Sequence, residues 1–221
     1  MVNGLTLALD AATYDGSVAV LRDGAVVAEA AVAMRGESEE RLMPAVVAAL
    51  AEAGAAPADV TRVVCGAGPG SFTSLRIAGA IAKGIAFGAG VPLFAVSSLA
   101  LVVAGTPGLE RGDYLAVLDA LRGERFVAPF RVRTDGRVVP AGETERVAAD
   151  AVTAVAARHA ATPVGPAEAQ RATPHARGVA RLLETIVAMG PVALDSWEPA
   201  YGRLAEAQVK WEATHGRPLA P

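Results

Sequence analysis

Apolar positions along this chain come in short runs broken by turn residues, and the period of the runs changes from one segment to the next. Leu5 to Ala11 is an almost unbroken apolar run that carries Asp10 near its end. A run of this length predicts a buried strand. Ser17 to Leu21 and Ala25 to Val32 read as two more strands, joined by Asp23-Gly24, the dipeptide of a tight hairpin. From Ser38 to Ala53 the spacing is helical, with Glu40 and Glu52 near the ends and Gly54-Ala55-Ala56-Pro57 as the stop. Arg62 to Cys65 is a fourth strand. Residues 66–77, Gly-Ala-Gly-Pro-Gly-Ser-Phe-Thr-Ser-Leu-Arg-Ile, then turn the chain into a second helix over Ser71 to Phe87, which Ser71 can cap. Val91 to Val96 is a fifth strand, and Ser97 or Ser98 caps the helix after it.

The Gly/Pro-rich stretch Gly105 to Gly112 reads as a boundary between two lobes, residues 1–104 and 105–221. Beyond it the opening pattern recurs. Tyr114 to Leu118 is an apolar strand ending in Asp119, and Arg125 to Arg133 leads into a second Asp-Gly turn, Asp135-Gly136. Strand, Asp and hairpin thus occur once at the start of each half, which predicts two lobes of the same sheet topology. Helices follow near Ala148 to Ala160 and His175 to Met189. Mixed strands and helices in this order predict an α/β fold, with a partly antiparallel sheet flanked by helices in each lobe. Asp10 and Asp119 then suit either a phosphate or metal site in a cleft between the lobes, or turn caps.

Composition narrows the possibilities. The chain has 221 residues, is 52% hydrophobic and 19% charged, and has a net charge of -3. It has no Lys/Arg block, so tight binding of nucleic acid by this chain alone is not expected. One cysteine, Cys65, fits a reducing compartment and burial at a strand end. No signal peptide is read at the N-terminus, and the expected location is cytoplasmic. Ile77 to Val96 has the hydrophobicity of a membrane span, but Lys83 lies inside it and Pro92 breaks it, so a helix plus a buried strand is expected.

The glycine loop follows a strand and opens a helix, a place where an anion can sit. It has no Lys-Ser/Thr pair and is neither a Walker A loop nor G-x-G-x-x-G. Asp10, Gly68, Gly70 and Ser71 are the candidate phosphate-loop residues. His159, His175 and His215 are far apart in sequence, have no ligand spacing and are expected at the surface. Leu42 through Ala51 carries no charge, and helix two carries only Arg76 and Lys83, two turns apart on one stripe. Ala80, Gly84 and Gly88 recur at four-residue steps, which permits close helix approach. A helix with so little polar face is expected to be covered on both sides. A partner is the expected cover, on Leu42, Val46 and Leu50 of helix one and Thr73, Arg76, Ile77, Ala80 and Gly84 of helix two.

Asp-terminated strands with a glycine loop resemble the actin/Hsp70/sugar-kinase (ASKHA) superfamily, which has an RNase H-like fold. Leu9-Asp-Ala-Ala-Thr13, Arg41-Leu-Met-Pro44, Gly68-Pro-Gly-Ser-Phe-Thr-Ser-Leu-Arg-Ile77, Val96-Ser-Ser-Leu99, Asp119-Ala-Leu-Arg-Gly-Glu124 and Glu198-Pro-Ala-Tyr201 occur in that order. Together they are similar to the TsaB (YeaZ) family of bacterial tRNA threonylcarbamoyladenosine (t6A) biosynthesis proteins, once grouped with M22 glycoproteases. The resemblance covers nearly the whole chain, dense to about residue 130 and thin between 140 and 195. It implies a non-catalytic scaffold with a TsaD-like catalytic subunit and a TsaE-like ATPase as partners, self-pairing when alone, and tRNA contacted only indirectly. The related catalytic subunit TsaD has a His-x-x-x-His metal pair where Ser98 and Val102 stand here, so no metal site is implied. Ser74 stands where the family usually has Gly, Ser38 where some members have His, Leu121 where Arg is usual and Arg125 where an aliphatic is usual. The departures at Ser74 and Leu121, with no phosphate-loop lysine, lead us to expect no cofactor and at most weak nucleotide binding. The alternative reading is a stand-alone ASKHA-type kinase or an M22-type metallopeptidase.

Overall fold

The computed structural model describes residues 3–34, 40–202 and 214–215. Its strands are β1 (Leu5–Asp10), β2 (Asp15–Arg22), β3 (Ala25–Ala33), β4 (Val60–Gly66), β5 (Leu93–Val96), β6 (Gly112–Leu121), β7 (Glu124–Val132), β8 (Val138–Pro140), β9 (Glu145–Ala148), β10 (Thr162–Gly165) and β11 (Gln170–Arg171). Its helices are α1 (Leu42–Glu52), α2 (Phe72–Ala89), α3 (Ser98–Ala104), α4 (Val152–Arg158) and α5 (Leu183–Met189), with short 3-10 segments that include Ala176–Arg181.

The repeat seen in sequence is real at the level of topology. The first sheet runs β3-β2-β1-β4-β5, and the second runs β8-β7-β6-β10-β11 with β9 also on β7. In each, an antiparallel three-stranded meander is extended by two parallel strands, β4 and β5 in one and β10 and β11 in the other. The Asp23-Gly24 hairpin forms as expected, with both residues at positive φ and Arg22 paired to Ala25.

Helix one starts at Leu42, later than the sequence suggested. The Glu40 carboxylate accepts from the Leu42 and Met43 amides and so ends the unpaired backbone there. Ser38 lies outside the described residues. Pro44 sits in the first turn, where its missing N–H costs nothing. Leu42, Ala45, Val46, Ala49 and Leu50 form the i, i+3, i+4, i+7, i+8 stripe that packs on the first sheet. Ser74, Ala78, Ala82 and Ala86 form the buried stripe of α2 and let it lie close to the same face. Gly90, at φ 67, closes α2 before β5 begins. Among the described residues no helix is long and apolar enough to cross a membrane.

The inner faces of the two sheets share one core, built on α3 and the segment after His175. Among the described residues the outer face of the second sheet is covered by α4, through Val152, Val155 and Ala156. The chain then returns to the first lobe. Val192, Leu194 and Trp197 join that lobe's core, and the Val192 amide donates to Leu93 O at 2.8 Å.

Candidate functional site: the glycine loop, the cleft and the helix pair

The glycine loop is sewn to its surroundings by hydrogen bonds. The Ser71 amide donates to Ala12 O at 2.7 Å, and the Gly68 amide donates to Ser98 Oγ at 3.0 Å. Three glycines here have no space for a side chain. A Cβ on Gly66 would lie 1.8 Å from Asp10 Oδ2, one on Gly70 would lie 2.1 Å from Ala12 O, and one on Gly68 would meet Ala200 O at 2.4 Å. Ser71 holds the N-cap position, but its hydroxyl bonds Ser74 Oγ at 3.0 Å and not a helix amide. Ser97 likewise makes no side-chain cap for α3. Ser98 points to the buried aspartate instead, and its Oγ donates to Asp10 Oδ2 at 2.5 Å.

Asp10 is therefore a structural group and not part of an open site. It is fully buried, accepting from the Ala12 amide at 3.0 Å and from Ser98. Burial pushes its carboxyl up to about 6, against the opposing pull of those two hydrogen bonds. Cys65 is buried beside it, and its thiol is pushed up by burial and by the Asp10 charge. Val102 is buried in the inter-sheet core. Among the described residues no three His, Cys, Asp or Glu side chains are grouped to hold a metal. His175 corrects the surface expectation. It is buried, its Nδ1 accepts from the Arg177 amide at 3.1 Å, and burial, with the Arg177 charge, holds it down to about 4.

Asp119, the counterpart of Asp10 in the second lobe, lies in a cleft. This cleft has a volume of about 810 Å³ and opens at the carboxyl ends of the strands. Ala12 and Thr13 line it from the β1–β2 loop, Asp15 from the start of β2, and Gly70 to Ser74 from the head of α2. The second lobe adds Asp119, Leu121, Arg125 and Glu168, and Tyr201 closes one side. Asp119 is 58% exposed and pairs with Arg125 Nη1 at 2.7 Å. It also accepts from the Leu121 amide at 3.2 Å, so it does cap its turn, where Leu121, Arg122 and Gly123 all have positive φ. These residues fit a phosphate poorly. The Gly68 and Ser71 amides are already paired, Arg125, the lining cation among the described residues, is bridged to a carboxylate, and Asp10 is sealed beneath the loop.

The helix pair divides the expected interface. Leu42, Val46 and Leu50 are 0%, 1% and 2% exposed and belong to the chain's own core, so they cannot face a partner. Nothing in an uncharged helix tells its two faces apart, which is why the sequence misled there. The outward residues of α1 are Met43 at 39% and Val47 at 55%, and on α2 Phe87 is 80% exposed. Thr73, Arg76, Ala80 and Gly84 of α2 are exposed, and Ile77 is half-buried. The flank of α2 beside them is covered by this chain itself. Lys83 Nζ donates to Trp197 O at 3.0 Å, and a Cβ on Gly79 would meet Pro199 Cγ at 3.3 Å. The Glu198-Pro-Ala-Tyr201 string is thus part of a strap. The Ala200 amide donates to Ala67 O at 2.7 Å, and the Tyr201 ring sits 4.4 Å from that of Phe72.

The family model described as TsaD, tRNA N6-adenosine threonylcarbamoyltransferase, matches residues 25–190. The tRNA threonylcarbamoyladenosine biosynthesis protein TsaB of Escherichia coli (strain K12) is 38% identical over 144 residues, covering 64% of this chain and 61% of the relative. The TsaB of Bacillus subtilis (strain 168) is 33% identical over 127 residues, covering 58% of this chain and 55% of the relative. The chain thus spans a little over half the length of these curated relatives. The solved structure of YeaZ from Pseudomonas aeruginosa superposes with a TM-score of 0.75 at 28% identity, over 90% of this chain and 99% of that one.

Proposed function

This chain belongs to the family described as TsaD, tRNA N6-adenosine threonylcarbamoyltransferase, and within it to the TsaB/YeaZ branch; from that premise we propose that it is a cytoplasmic, non-catalytic scaffold subunit of the machinery that makes t6A in tRNA. Its partners in this reading are a TsaD-like catalytic subunit and a TsaE-like ATPase, and alone it pairs with itself. It needs no cofactor of its own and meets tRNA only within the complex, in keeping with its net charge of -3.

One observation carries the reading: the outward face of α1 and α2. Met43, Val47 and Phe87 present large apolar side chains to solvent from two helices packed on the same face of one sheet. Large apolar side chains turned to solvent on two helices of one face support a protein interface there. Ala80 and Gly84, exposed on α2, carry little or no side chain, so a partner helix can come close.

The test is association with a purified TsaD-like protein, followed by size-exclusion chromatography. Val47→Glu and Phe87→Glu each place an unpaired charge in the buried seam. A cost of ~3 kcal/mol lowers affinity by about a hundredfold. Both variants should keep the wild-type circular dichroism spectrum, because both side chains are exposed. Wild-type capture by both variants would refute this interface.

A further inference from the structure

We infer that the cleft between the lobes binds a small organic cation, an amine or guanidinium on an apolar body, and not a nucleotide. The volume of about 810 Å³ falls in the range of small-molecule sites, roughly 300–1,000 Å³. Among the described residues its charged lining is Asp15, Asp119 and Glu168 against Arg125, and Arg125 is already bridged to Asp119 at 2.7 Å. The field in such a cleft attracts cations and repels phosphates.

The walls supply the second half of the recognition. Phe72, Ile77, Leu121 and Tyr201 give the cleft an apolar side. The Phe72 ring packs 4.4 Å from that of Tyr201, and the Arg76 guanidinium lies 5.3 Å from its centroid. Phe72 is therefore already engaged by the chain's own guanidinium, and an incoming cation relies on the carboxylates and the Tyr201 ring. Arg76 itself is not among the residues lining the cleft. The exposed Met43, Val47 and Phe87 do not line it either, so the inference stands or falls separately from the scaffold reading.

The experiment is calorimetric titration of the full chain with benzoylargininamide, its neutral counterpart benzoylcitrulline amide, and ATP. The arginine compound should bind saturably, about tenfold or more tighter than the citrulline compound, while ATP shows no saturable heat. Asp15→Asn and Glu168→Gln should each weaken the arginine compound by about fivefold, the worth of one partly exposed charge pair. Asp119→Asn has a more telling effect, because it frees Arg125. The arginine compound should bind more weakly, and ATP should gain measurable affinity. All three side chains are at least partly exposed, so circular dichroism should not change. Equal affinity for the charged and neutral compounds, no saturation below ~10 mM, or ATP binding the wild type more tightly than the arginine compound would each overturn the inference.

Discussion

The two lobes have the same strand order, yet they differ in what covers their outer faces and in what each does with the aspartate near the end of its first strand. In the first lobe, α1 and α2 cover the sheet and turn Met43, Val47 and Phe87 to solvent. In the second, the seven-residue α4 covers it, and the outward Arg158 pairs with Glu145. Asp10 is sealed under the glycine loop, whereas Asp119 stands in the cleft. A shared topology therefore fixes where these groups lie along the chain but not their environment. The environment is set by which neighbours are small: Gly66 leaves room for the Asp10 carboxylate, and Ser98 gives it a donor.

The sharpest way to test the helical face of the first lobe is to change two adjacent residues. Val46 is buried in that lobe's core and Val47 is exposed. Val46→Glu buries an unpaired charge and should cost several kcal/mol, on the order of 4, enough to unfold a marginal protein. Val47→Glu should change stability by no more than ~0.5 kcal/mol. Chemical denaturation of the two variants measures the difference. Similar midpoints would mean that α1 turns a different face to the sheet.

Asp10 should show the next largest effect. Asp10→Ala leaves the Ala12 amide and the Ser98 hydroxyl without their acceptor in a buried site, costing about 2–3 kcal/mol. The wild-type carboxylate also leaves a signature in pH. Its carboxyl is raised in the folded state from 3.8 to about 6, so its contribution is full below pH 4 and is lost as the pH rises through 6, by up to ~3 kcal/mol. His175 tilts the same window the other way. Held down from 6.5 to about 4 in the folded state, it contributes fully above pH 6.5 and loses that contribution as the pH falls towards 4. Asp10→Asn should therefore uncover a steeper loss of stability on acidification, and His175→Asn should uncover a gain. Parallel denaturation curves from pH 4 to 7 for all three proteins would contradict both assignments.

Much of this was legible in sequence. The two hairpin turns, the strand-Asp repeat and the glycine loop are local patterns, and all of them formed. The burial of Cys65 followed from an apolar strand. What sequence could not show was direction. In α1 the residues at 42, 43, 46 and 47 are all apolar, so no polar face marks which of them look outward. Asp10 and Asp119 sit in similar local strings, and only the distant Ser98 and Arg125 separate the buried carboxylate from the bridged one. The strap over α2 was hidden for the same reason: Trp197 and Pro199 meet Lys83 and Gly79 across more than a hundred residues of chain, beyond any periodicity. His175 was misplaced because a lone histidine has no pattern to bury it.

The smallest effect is expected at Asp119, and it completes the contrast with Asp10. With 58% of its side chain exposed and Arg125 at 25%, the pair is screened by water. Removing it should cost less than about 1 kcal/mol. Asp119→Ala also removes the acceptor for the Leu121 amide, but that turn is exposed and water can replace the bond. Added salt should narrow the gap between wild type and Asp119→Ala, since an exposed pair is screened at high ionic strength, whereas the cost of Asp10→Ala should not change because its partners are buried and neutral. A double-mutant cycle of Asp119→Ala with Arg125→Ala, measured in low and high salt, isolates the pair. A coupling of several kcal/mol that salt does not weaken would mean that the cleft shields this pair from water, and that the two aspartates are more alike than their burial indicates.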